Sequence, residues 1–119
     1  MNIPAASFQK AERITHAKEF REVFKKGSAC HKNGISVYCV RNKISRPRLG
    51  MVISRKALRR AVDRNRYKRI FREFFRKEKH NMKQSYDIVI RLNYDCNILK
   101  SDELRKNTKY IFKDARLLD

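Results

Sequence analysis

Nine basic side chains fall between Arg55 and Arg72, with one acid, Asp63, among them. Most are arginines, whose planar guanidinium forks match phosphate oxygens two at a time. Large apolar residues are threaded through them at helical spacing. Tyr67, Ile70, Phe71, Phe74 and Phe75 recur at i, i+3, i+4, i+7 and i+8. At about 100° per residue from Arg64, that stripe runs from about 240° through 0° to 20°. Arg64, Lys68, Arg72 and Arg76 then fall at about 0°, 40°, 80° and 120°, Arg69 at about 140° and Arg66 at about 200°, with Asn65 in the centre of the basic sector. A self-solvating helix face mixes signs in i,i+4 pairs, whereas stacked like charges cost helix stability. Phosphates reverse the sign of that cost, because each neutralised phosphate releases a counterion. Nucleic acid is therefore the first candidate partner. A membrane surface ranks behind it and is not expected, since its helix would need a free apolar face and these aromatics are the best core candidates in the chain.

Residue types suited to protein-based hydrolysis are dispersed. His16, His31 and His80 lie in separate segments, and the 12 acids form no cluster. No nucleophile elbow or phosphate-binding glycine loop occurs. Cys30, Cys39 and Cys96 are odd in number and contain no CxxC pair, which argues against a disulfide framework or a structural zinc and for a reducing compartment. Cys39, inside an apolar run, is expected in the core. No catalytic and no metal-ligating residue is assigned.

The elements that must carry the basic ridge fit one domain of 119 residues, residues 1–119, 41% hydrophobic and with a formal charge of +19. Residues 41–79 hold 16 of the 31 basic side chains. Residues 1–13 lack the apolar core of a secretion signal, and no run approaches the roughly 18 apolar residues of a membrane span, so a soluble cytoplasmic protein is expected. A first helix is expected from a Thr15 cap to about Lys26, with Ala17, Phe20, Val23 and Phe24 on one face and Gly27 as a terminating C′ glycine. Strands are expected at Cys30–Lys32, Ile35–Arg41, Arg48–Ser54 and Tyr86–Leu92. Asn33-Gly34 should turn the first hairpin and Arg46-Pro47 should mark a turn. Ile35, Val37 and Cys39 share one strand face, and Ser36, Tyr38 and Val40 the other. A last helix should begin after Ser101, with Leu104, Thr108, Ile111 and Ala115 on one face. No helix-turn-helix or zinc-finger spacing points to duplex DNA. Phe20, Phe24 and Tyr38 beside a sheet would suit the unstacked bases of a single strand.

Arg64-Asn65-Arg66, set within the segment from Ser54 to Glu73, resembles the signature of the bacterial ribonuclease P protein subunit. Phe20, Val23, Phe24 and Gly27, then Arg48-Leu49-Gly50, then Asp87-Ile88-Val89-Ile90 fit the same pattern, from about Phe8 to Phe112. The resemblance implies an α/β (α+β) two-layer sandwich over about residues 8–115: a four-stranded sheet, three helices and a left-handed βαβ crossover, ribosomal protein S5 domain 2-like. It implies an accessory of a ribonucleoprotein endoribonuclease, in which a catalytic RNA holding Mg²⁺ removes the 5′ leader of precursor tRNA and the protein, a monomer in the complex, supplies binding. By motif match, Arg64, Asn65, Arg66, Lys68, Arg69 and Arg72 on the helix, with Arg55, Lys56, Arg59 and Arg60 in the loop before it, would contact the RNA subunit. Phe20, Phe24 and Tyr38, bordered by Lys68, would line the leader cleft. The basic loop is one residue longer than the common family form. Arg91-Leu92-Asn93 stands where the family commonly has Ala-Arg-Pro, and Arg91 is assigned no role. The alternative is a structural RNA-binding protein, ribosomal or chaperone-like, without a part in cleavage.

Overall fold

A computed structural model describes residues 10–82, 84–94 and 97–118; Cys96 lies outside the described residues. A short 3-10 turn at Lys10–Glu12 precedes helix α1 (Ala17–Lys26) and strands β1 (Ser28–Lys32), β2 (Ile35–Arg41) and β3 (Arg48–Val52). Helix α2 (Ala61–Glu78), a second 3-10 turn (Lys79–Asn81), strand β4 (Tyr86–Leu92) and helix α3 (Ser101–Asp114) complete the order. The sheet runs β1-β2-β4-β3. β1 and β2 form an antiparallel hairpin, β2 and β4 are antiparallel, and β3 and β4 are parallel neighbours with α2 as their crossover. The result is an α+β sandwich of a four-stranded mixed sheet and three helices.

Alternation along the two central strands divides the apolar residues between the sheet faces. Ile35, Val37, Cys39, Ile88, Ile90 and Leu92 meet Tyr67, Ile70, Phe71 and Phe75 of α2 and Leu104, Ile111 and Phe112 of α3 in the larger core. On the other face Val89, Tyr38, Val40 and Val52 pack with Ile14 and with Phe20, Val23 and Phe24 of α1 in a smaller cluster. The expected faces of β2, of α2 and of the last helix are therefore the observed ones. In that helix, Asn107 and Thr108 are buried as well, the Thr108 hydroxyl donating to the Leu104 carbonyl at 2.7 Å.

Several boundaries differ from expectation for local reasons. α1 begins at Ala17, with His16 rather than Thr15 at the cap position. β1 starts at Ser28 because it pairs with β2 as far as Cys39. β3 stops at Val52: the Ser54 hydroxyl accepts the Ala57 N–H and the Ser54 carbonyl accepts the Leu58 N–H, which turns the chain into the basic loop. Gly27 ends α1 without the left-handed backbone of a C′ glycine, since its φ is −79°. Glycine is needed there for space, because a Cβ would lie 2.5 Å from the Val23 carbonyl oxygen and 2.9 Å from that of Cys39. Asn33 and Gly34, at φ 52° and 79°, do take the left-handed conformation that a two-residue hairpin turn requires.

Two ion-pair clusters tie the layers together. Arg48 on β3 donates from Nε and Nη2 to the two Asp87 carboxylate oxygens at 2.9 and 2.8 Å, and from Nη1 to Glu19 of α1 at 2.7 Å. Asn42 adds a 2.8 Å donation to Asp87. Hydrogen bonding to Asp87 is the main cause holding the Arg48 guanidinium above its ordinary pKa, against the opposing effect of burial. Lys79, after α2, places Nζ 2.9 and 2.8 Å from the two Glu12 carboxylate oxygens, and both residues are buried. The Ile14 N–H donates to the Leu49 carbonyl at 3.0 Å, and Arg13 bridges Leu49 in parallel, so the chain before α1 runs along the outer edge of β3.

Candidate nucleic-acid interface

The apolar stripe of α2 is fully engaged in the larger core, which fixes the helix and sets the outward direction of its other face. Asn65, Arg69 and Arg72 are exposed on that face, and Lys68 is half-buried beside them. Arg55, Lys56, Arg59 and Arg60, in the loop before α2, are also exposed. Among the described residues none of these cations forms an ion pair with a carboxylate, in contrast to Arg48 and Lys79.

Arg64 and Arg66 depart from that pattern. Arg64 lies at about 0° on the helical wheel, inside the apolar sector. Its guanidinium turns back and donates from Nη1 to the carbonyls of Leu58 and Arg59 at 2.7 and 2.9 Å. It thereby pins the basic loop to the first turns of α2. Arg66 is half-buried, with its guanidinium carbon 5.2 Å from the Tyr67 ring centroid, Nη2 4.0 Å from Asp63 and Nη1 donating to the Ser101 hydroxyl at 3.2 Å. Both arginines position neighbouring segments as well as carrying charge.

The expected aromatic residues all belong to the smaller cluster, but they split into two groups. Phe20 lines a cleft of about 270 Å³ together with Arg13, Ile14, Gly50, Met51, Lys68 and Arg72. Gly50 admits the Phe20 ring: a Cβ there would sit 2.6 Å from a Phe20 ring carbon. Phe24 and Tyr38 do not line this cleft. They meet edge to face with centroids 4.9 Å apart, with the Arg91 guanidinium 5.7 Å from the Phe24 centroid. Lys68 and Arg72 therefore join the cationic face of α2 to the Phe20 cleft around the β3 edge. Sequence reasoning does not place Arg13, Gly50 or Met51 at the cleft, nor Arg91 beside Phe24. Arg48-Leu49-Gly50 is the available signal for Gly50, whereas nothing local distinguishes Arg13 or Met51.

The described thiols, Cys30 and Cys39, stand apart from this surface. Cys39 is buried, and desolvation pushes its pKa up to about 11. Burial likewise raises Cys30, which is half-buried and also faces Asp114.

The family model described as Ribonuclease P matches residues 8–116 of this sequence. The chain belongs to the ribonuclease P protein family. It is 31% identical over 112 residues to the ribonuclease P protein component of Bacillus pumilus, covering 90% of each chain. It is 39% identical over 84 residues to that of Chromohalobacter salexigens, a match spanning 70% of this chain and 65% of the relative. The solved RNase P protein of Staphylococcus aureus superposes with a TM-score of 0.84 at 29% identity, over 92% of this chain and 100% of that one. The Thermotoga maritima RNase P protein gives 0.73 at 27% identity, over 87% and 96%. Within this ribonuclease P protein fold, the Arg64-Asn65-Arg66 triplet spans the end of the first turn and the second turn of the crossover helix, separated by three residues from the loop that Arg64 holds.

Proposed function

We propose that this chain is the protein subunit of a ribonuclease P holoenzyme, an endoribonuclease that removes the 5′ leader of precursor tRNA. The 55–60 loop and the outward face of α2 bind the catalytic RNA, with Arg55, Lys56, Arg59, Arg60, Asn65, Lys68, Arg69 and Arg72 facing it. Arg64 and Arg66 hold loop and helix in register as they add charge. The leader passes along Phe20, Lys68, Phe24 and Tyr38. One observation carries this reading: Lys68 and Arg72 line the same cleft as Phe20, so a strand leaving the cationic helix meets an aromatic floor directly.

The protein's part is binding and orientation. Precursor is favoured over mature tRNA because only the precursor carries the segment that reaches the cleft, and the cations lower repulsion between RNA segments. Mg²⁺ held mainly by the RNA would supply the chemistry there, activation of water and stabilisation of the departing oxygen. Among the described residues no three His, Cys, Asp or Glu side chains converge. No helix among the described residues is long and apolar enough to cross a membrane. The chain acts as a monomer with the catalytic RNA, in the cytoplasm where tRNA is processed.

Reconstitution with a bacterial ribonuclease P RNA and a precursor tRNA labelled at its 5′ end tests the reading. The protein is expected to stimulate leader release at low Mg²⁺. Tyr38→Ala is expected to weaken precursor binding while mature tRNA binding barely changes. Equal weakening of both substrates would remove the leader from the Phe24–Tyr38 surface, and no stimulation would remove the holoenzyme role.

A further inference from the structure

Away from the Phe20 cleft, Tyr94 and Ile98, which follow β4, share a pocket with residues 56–60 of the basic loop. A basin of about 450 Å³ opens there, lined by Lys56, Arg59, Arg60, Asp63, Tyr94 and Ile98 over the buried Leu58. Tyr94 is 63% exposed and Ile98 59%, among the largest exposures of any large apolar side chain described. The neighbouring Val62, in the first turn of α2, is 60% exposed. A folded domain leaves scattered apolar residues on its surface, but a cluster ringed by cations is a different object. Lys56 Nζ lies 5.7 Å from the Tyr94 ring centroid, so the ring is already flanked by positive charge.

Both walls of the basin are fixed by hydrogen bonds. The Leu99 N–H donates to the Tyr67 hydroxyl at 2.7 Å, and Tyr67 is itself buried in the core. The Ser101 hydroxyl accepts from Arg66. On the facing wall, Arg64 grips the Leu58 and Arg59 carbonyls. Asp63, the single acid among the described lining residues, is half-buried and directed to Arg66 at 4.0 Å, while Lys56, Arg59 and Arg60 on the rim are exposed. An aromatic face, an aliphatic neighbour and three exposed cations on a rigid frame match one ligand chemistry: an unpaired nucleotide whose base stacks on the ring while its flanking phosphates meet the cations.

We propose that Tyr94 is a stacking platform for an unpaired base of the partner RNA, with Ile98 beside it and Lys56, Arg59 and Arg60 holding the adjacent phosphates. This site rests on the RNA-binding reading above and deepens it by naming an element of RNA structure: a bulged or looped-out nucleotide at the 55–60 loop, separate from the leader cleft.

The chain contains no tryptophan, so Tyr94→Trp introduces a unique fluorophore at the platform. The variant is titrated with a bacterial ribonuclease P RNA and with a fully paired RNA duplex of matched length and salt. Quenching of the introduced indole's emission by the ribonuclease P RNA, and not by the duplex at equal occupancy, is the expected result. Tyr94→Ala is expected to bind the ribonuclease P RNA about tenfold more weakly with an unchanged salt slope, because stacking is removed while phosphate contacts remain. Tyr94→Phe should bind within about twofold of the parent, since its ring still stacks. Thermal melts of each variant should match the parent, the side chain being exposed. Binding of the Tyr94→Trp variant with no quenching, equal quenching by the duplex, or Tyr94→Ala within about twofold of the parent would overturn the platform while leaving the RNA-binding function standing. Failure of the parent to bind the RNA at all would overturn both.

Discussion

Arg48 and Arg72 both belong to the basic middle of the chain, yet they sit in opposite electrostatic settings. Arg48 lies in the seam between β3, β4 and α1, its side chain 18% exposed, with Asp87 and Glu19 both within hydrogen-bond distance. Arg72 stands on the outer face of α2, exposed and without a carboxylate among the described residues. Lys79 with Glu12 repeats the first arrangement, and Arg69, Arg59 and Arg60 repeat the second. The difference shows how a chain of charge +19 stays folded. Three of its acids, Glu12, Glu19 and Asp87, are placed against the buried or half-buried cations Lys79 and Arg48, and the exposed cations of the 55–60 loop and of the outward face of α2 are left for an anion supplied from outside.

The sharpest test of that division is Arg48→Met. It strands Asp87 and Glu19 in the seam and is expected to destabilise the fold by about 3 kcal/mol, read as a large fall in melting temperature. Arg72→Met should leave the melting temperature nearly unchanged. Comparable losses for the two would abolish the distinction. Next in size is the pair Arg69→Met with Arg72→Met. Each phosphate left unneutralised should reduce the slope of log affinity against log salt by about 0.7 to 0.9. The double variant should therefore bind RNA with a shallower dependence and roughly tenfold or more weakly at low salt. An unchanged slope would remove this face from the interface.

Arg64→Met probes the boundary between the two classes. Release of its bonds to the Leu58 and Arg59 carbonyls should cost about 1 kcal/mol, and amide exchange should accelerate through the 55–60 loop while the sheet stays protected. A uniform fall in protection would mean that Arg64 serves the core rather than the loop. The smallest effect concerns Cys39. With its thiol held near pKa 11, a thiol reagent at about pH 8 should leave it unmodified in the native protein and modify it on unfolding. Peptide mapping of the labelled chain reads this out, and native-state labelling at Cys39 would show that the larger core opens readily.

The central elements are legible in the sequence because their signals are local. Ile35–Arg41 and Tyr86–Leu92 alternate cleanly, and the aromatic recurrence from Tyr67 to Phe75 names both the helix and its buried face. The inward turn of Arg64 is also within reach, since its position at about 0° places it in the apolar sector. What escapes depends on residues distant in the chain. The partners of Arg48 and Lys79 are 39 and 67 positions away, and no spacing rule reports such pairings. Gly27 reads as a left-handed cap because one of the carbonyls that forbid a side chain there belongs to Cys39, on the second strand of the hairpin. Tyr94 and Ile98 sit in a loop without periodicity, and only the fold brings them against the loop before α2.

The segment laid along β3 has a further consequence. An uncovered strand edge offers a row of vacant backbone donors and acceptors to any other chain that approaches. Free in solution, copies of so cationic a protein hold one another apart by Coulomb repulsion, which limits such encounters. Once a polyanion cancels that repulsion, long-range protection disappears, and Arg13 and Ile14 become a steric guard against self-association at this edge. Ile14→Pro, which removes the N–H that meets Leu49 while leaving Glu12 on Lys79, should accordingly remain dispersed on its own and clump when a polyphosphate is added, an ordering opposite to that of a protein merely weakened in its fold.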